Sequence, residues 1–73
     1  MLKIDKAVVD MLKKQYPEGT EVELVKMDDI QAPPAGTKGK VRFVDDLGTV
    51  HISWDTGSGL GAVYGVDVIR KVG

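Results

Sequence analysis

The stretch KGKVRFVDDLGTVHISWD, residues 38–55, limits the fold more than any other part of this 73-residue chain. Val41 and Phe43 alternate with Lys40 and Arg42, and Val50, Ile52 and Trp54 alternate with His51, Ser53 and Asp55. A period of two is that of a strand buried on one face. Between the two runs, Asp45-Asp46-Leu47-Gly48 suits a four-residue hairpin loop with Gly48 at positive φ. Such a loop sets Val44 opposite Thr49, Phe43 opposite Val50, Arg42 opposite His51 and Val41 opposite Ile52. Each inward residue then meets another inward residue.

The remaining segments fit around this hairpin. In IDKAVVDMLKKQY, Ile4, Ala7, Val8, Met11 and Leu12 form the apolar stripe of an amphipathic helix over 4–16, ended by Pro17 and Gly19. TEVELVKM alternates at Val22 and Leu24 and then slips phase at Val25 and Met27, as a bulge or a strand buried on both sides would require. MDDIQAPPAGT is too rich in proline for a strand and too polar for a helix, and reads as a long loop. Asp55-Thr56-Gly57-Ser58 is a second turn before the strand LGAVY. If Thr56 and Gly57 alone make that turn, Leu60, Ala62 and Tyr64 face away from Trp54; one more loop residue turns them inward. Gly65, Val66 and Asp67 make a tight turn before VIRKV. The expected architecture is mainly β: a single domain over 1–73, with a five-stranded SH3-like barrel over 19–72 preceded by the helix.

Composition narrows the functional classes. A chain this short hides only about 60% of its open-chain surface on folding, so its core is small. With no cysteine, disulfides, thiol catalysis and cysteine zinc sites are excluded, and the expected compartment is the cytoplasm. No run is long and apolar enough to suggest a signal peptide or a membrane span. The net charge of −1 divides unevenly: Lys3, Lys6, Lys13 and Lys14 make the helix basic, whereas nine carboxylates face six bases from Glu18 onward. A duplex nucleic acid would call for a stronger basic footprint.

Several motifs imitate active sites. Asp55-Thr56-Gly57-Ser58 spells an aspartic protease signature, which in single copy needs a homodimer, a flap and a later apolar-apolar-glycine segment. Six residues between Asp55 and Ala62 leave no room for a flap. Gly57-Ser58-Gly59-Leu60-Gly61-Ala62 has dinucleotide-fingerprint spacing, but Gly65 interrupts the helix such a motif must open. His51, Ser53 and Asp55 have the composition of a hydrolase triad, yet neighbours on one strand face stand about 7 Å apart and do not converge. One histidine beside Asp45, Asp46 or Asp55 is a poor transition-metal site, so neither a metal nor another cofactor is expected.

From Gly19-Thr20 to Val68, the order of GTEVELVKMDD, PPAGTKGKV, VDDLGTVHISWDTGS and LGAVYGVD resembles an uncharacterised family of small bacterial and phage proteins, a domain of unknown function. That resemblance implies no chemistry. GTVHISWDTGSGLGAVYG is distantly similar to the mind-bomb type barrel of ubiquitin ligases, a module that binds peptide segments of partner proteins, although the strand after the turn is shorter here. By that analogy the expected role is a non-enzymatic binding or scaffold module for a protein partner. Trp54 ends an inward-facing set, which reads as core. SH3-like barrels also present an aromatic beside the long loop, which gives a second place for Trp54, with Tyr64, Tyr16, Asp28, Asp29, Pro33 and Pro34 completing a groove. The alternative is a nucleic-acid accessory surface of Lys38, Lys40, Arg42 and His51, and a remote third is a hydrolase centred on Asp55.

Overall fold

Asp5 begins the helix, its carboxylate accepting from the Ala7 amide at 2.9 Å, and Lys13 and Lys14 occupy the last turn, where cations offset the exposed carbonyls. In a computed structural model, which describes residues 5–72, this helix α1 spans Lys6–Gln15 and is followed by β1 (Glu21–Lys26), β2 (Lys38–Val44), β3 (Thr49–Trp54), β4 (Ala62–Val63) and β5 (Val68–Lys71). The strands form one antiparallel sheet in the order β4-β3-β2-β1-β5, with β4 and β5 as unjoined edges. The expected barrel is thus, as observed, an open five-stranded sheet carrying one helix. Leu12 enters the core with Val22, Leu24, Val41, Val44, Val50, Ile52, Trp54 and Ala62.

The buried side of α1 is rotated from the expected stripe. Val9 and Leu12 are buried, Val8 and Met11 are half-buried, and Ala7 is exposed; Ile4 lies outside the described residues. The rotation follows from the hairpin end, where Lys13 Nζ meets Asp46 Oδ1 at 3.2 Å and Val9 lines the cleft beside them.

The hairpin loop is one residue shorter than expected. Asp45 N donates to Thr49 O at 3.0 Å and Gly48 N to Asp45 O at 3.2 Å, so Asp46-Leu47-Gly48 is the loop and Gly48 takes φ 81°. Val44 therefore pairs with Val50 and Phe43 with His51. A bulge at Arg42 restores Val41 opposite Ile52, so the inward residues of β2 are Val41 and Val44, three apart. Phe43, expected inside, is about half exposed on the outer face. The second hairpin uses the same device: Trp54 N donates to Ser58 O and Gly57 N to Trp54 O, with Gly57 at φ 93°. Its loop, Asp55-Thr56-Gly57, has three residues, which turns Ala62 inward and half-buries Leu60. Tyr64 lies past the end of β4 and is exposed, so only two residues of the expected strand LGAVY keep their ladder. The phase slip in β1 is a bulge at Val25, between the Leu24–Ile69 and Lys26–Val68 pairs.

An internal repetition went unread in the sequence. Pro17-Glu18-Gly19-Thr20 and Pro34-Ala35-Gly36-Thr37 are both β-turns with the glycine at positive φ, and in each the threonine hydroxyl donates to the proline carbonyl at 2.6 Å. Gly19 N bonds Val41 O while Val41 N bonds Thr20 O; Gly36 N bonds Leu24 O while Leu24 N bonds Thr37 O. The β1–β2 pair is therefore closed by equivalent clamps at its two ends.

Gly39 is buried opposite Trp54 in the β2–β3 register. A Cβ there would lie 2.7 Å from Ser53 O and 2.9 Å from Trp54 Cε3. Gly39→Ala is expected to destabilise the fold by about 1–3 kcal/mol through overpacking. Urea denaturation measures this, and an unchanged midpoint would refute the close approach.

Candidate functional site

The open seam of the sheet is its most concave feature. Between the edges β4 and β5 lies a cleft of about 430 Å³, with Leu12 and Tyr16 of α1, Val50, Ala62, Tyr64 and Ile69 among its lining residues. The chain passes from β4 to β5 across one end of it, in a turn held by Val66 N and Asp67 N donating to Val63 O, and by Val63 N donating to Asp67 Oδ2 at 2.8 Å. Holding this turn by its backbone leaves its side chains outward: Val63, Tyr64, Val66 and Val68 are 39%, 50%, 69% and 47% exposed. Four large apolar side chains over six residues make a contiguous surface of the kind that marks a contact site.

Only part of the predicted groove assembles here. Tyr16 and Tyr64 both line the cleft, whereas Asp28, Asp29, Pro33 and Pro34 do not. Trp54 is 3% exposed and donates its indole N–H to Leu60 O at 2.8 Å, so it presents no face to a partner. Pro33 is likewise buried. Asp28, Asp29 and Pro34 are exposed, and Asp29 accepts from Gln31 N within its own loop. Val66 and Val68, which the sequence reading did not single out, contribute more open surface than the predicted residues. The signal was VYGVDV, an apolar run broken by a turn glycine.

The outer face carries the predicted basic residues beside acidic ones. Lys40 pairs with Glu21 across the ladder and Lys38 with Glu23, and Glu23 also holds Arg70 at 2.8 Å. The stripe is therefore a ladder of alternating sign and not a basic track. His51 is held by Asp45, Nε2 to Oδ2 at 2.8 Å, and stacks on Phe43 with ring centroids 4.3 Å apart. Asp55 is exposed in its hairpin loop. Among the described residues no three His, Asp or Glu side chains gather in a metal-binding group, and no helix is long and apolar enough to cross a membrane.

The sequence model of the domain-of-unknown-function family DUF4314 matches residues 5–72, almost the whole chain. The chain belongs to the DUF4314 family. No curated protein and no solved structure matches it. Membership spans the helix as well as the sheet, so in this DUF4314 chain the seam and the α1 residues beside it lie within one family domain.

Asp45 links the outer face to the hairpin. Partial burial opposes ionisation of its carboxylate, but hydrogen bonds from His51, Thr49 N and Leu47 N outweigh this and hold its pKa below the ordinary 3.8. A depressed carboxylate contributes stability above its ordinary pKa, and that contribution is lost as pH falls through the lower folded value. Asp45→Asn is therefore expected to unfold at lower urea than the wild type at neutral pH. The gap is expected to narrow below pH 3.8; a gap independent of pH would refute the assignment.

Proposed function

We propose that this DUF4314 domain is a non-enzymatic binding module that takes a segment of a protein partner at the open seam. The strand order, with a long loop between β1 and β2 and a single turn before β5, is that of an SH3-like barrel, in keeping with a peptide-binding role. The observation that carries the reading is the run of exposed Val63, Tyr64, Val66 and Val68 beside an apolar cleft. A rigid aromatic next to a pocket is a common anchor for a protein contact. The long acidic loop with Asp28 and Asp29 then acts as a flanking contact, outside the cleft.

The nucleic-acid alternative has one observation in its favour, the exposed Phe43 stacked on His51 near Arg42, because bases stack on such rings. Glu21 and Glu23 opposite Lys40 and Lys38 weigh against it.

Immobilised wild type is expected to retain a protein from cell lysate after nuclease treatment, and Val66→Asp and Tyr64→Ala are expected to lose it with their melting temperatures unchanged. Equal retention by all three would sink the seam as the contact surface. Salt-sensitive oligonucleotide binding that Phe43→Ala abolishes would instead favour the outer face.

A further inference from the structure

The free edge of β5 identifies what the seam can take. Val72 N donates to Glu21 O, so by the alternation of an antiparallel ladder the backbone groups of Arg70 and Val68 also point toward β1. Those of Ile69 and Lys71 then point to the open side. Asp67 N, two residues earlier, reaches that side to Val63 O, in agreement with this alternation. Asp67, Ile69 and Lys71 share one strand face, and the outer two carry opposite charges. Among the described residues, neither Asp67 nor Lys71 has an oppositely charged side chain within ion-pair distance. The Lys71 ammonium lies only over the Tyr16 ring, 5.3 Å from its centroid.

We propose that a second copy of this chain adds its β5 antiparallel to this edge, with Ile69 meeting Ile69 on the two-fold axis and Asp67 of each copy opposite Lys71 of the other. The proposal rests on the reading of the seam as the contact surface and names its occupant. Its ground is charge complementarity: a strand with an acid and a base placed symmetrically about Ile69 is its own complement only when antiparallel. Directly opposed unlike charges favour a pairing and like charges oppose it. Ile69 exchanges both of its backbone bonds across the axis, and Lys71 N finds Asp67 O, whereas Asp67 N stays with Val63. The result is an isologous contact, closed by symmetry. It brings Val66 of each copy opposite Val72 of the other, covering apolar surface that the single chain leaves open.

Sedimentation velocity over a wide range of protein concentration tests this on the full chain. The wild type is expected to pass from monomer to dimer, and Lys71→Glu to raise the dimer dissociation constant by about ten-fold or more. Lys14→Glu, an equal charge change on the helix, is expected to leave it unaltered. The decisive sample mixes Lys71→Glu with Asp67→Lys: each alone sets like charges opposite each other, but together both charge pairs re-form and a heterodimer is expected. Asp67→Lys also removes the Val63 contact, so its melting curve is recorded first; if it does not fold, Lys71→Glu against Lys14→Glu decides. A chain monomeric at every concentration, or a dimer that Lys71→Glu leaves intact, overturns the proposal. If the chain stays monomeric while Val66→Asp still loses a captured protein, the seam reading stands and only the second copy falls.

Discussion

The contact on which the rest of the structure depends is Trp54 against Gly39. It is the single tryptophan of the chain, 3% exposed, and it lies over a residue that has no side chain to displace it. Because Gly39 lets the strands approach, the indole reaches inward and its N–H meets Leu60 O. That bond holds the segment leaving the second hairpin close to the core, and Ala62 follows it inward onto Val50. A small domain has few large side chains with which to fill its centre. Committing the tryptophan there fixes the sheet and leaves recognition to residues beyond β4.

Economy of another kind appears in the connections. Two Pro-x-Gly-Thr turns, 17 positions apart, clamp the ends of the β1–β2 pair, and two three-residue loops ending in a glycine at positive φ join β2 to β3 and β3 to β4. Each clamp closes onto the opposite strand through Leu24 or Val41, both fully buried. Such local hydrogen bonds fix register before any long-range packing forms. A short chain thereby specifies a sheet with few core residues.

This dependence on loops explains how much was legible beforehand. The helix, the five strands, the long proline-containing loop and the β1 bulge follow from periodicity and turn residues, which are local properties. Loop length within Asp45–Thr49 is set by which amide reaches which carbonyl, and a three-residue loop and a four-residue loop use the same residue types. The difference of one residue moved Phe43 from the core to the outer face, with the bulge at Arg42 making good the parity. The spacing of Val41 and Val44 carried that bulge, but Phe43 offered a simpler alternation. Of the candidate site, Tyr16 and Tyr64 were legible. Val66 and Val68 were not, because an apolar residue after a turn glycine has the same appearance whether it turns in or out.

The two edges of the sheet are treated unequally, and the difference bears on which of them can meet a partner. An unpaired edge invites pairing with other chains unless it is short, bulged or charged. β4 has two residues, and Asp67 takes the amide of Val63 that it would otherwise present. β5 has four residues, its bulge lies on β1 and does not interrupt it, and its charges alternate in sign along one face. A run of lysines would repel every approaching strand. Asp67 and Lys71 repel only a parallel copy in register, which sets like against like, and they attract an antiparallel one. The charges on β5 therefore select an orientation instead of closing the edge, while β4 is closed by brevity and by a hydrogen bond. The seam between them is open on one side only, and its selectivity resides in the strand that remains exposed.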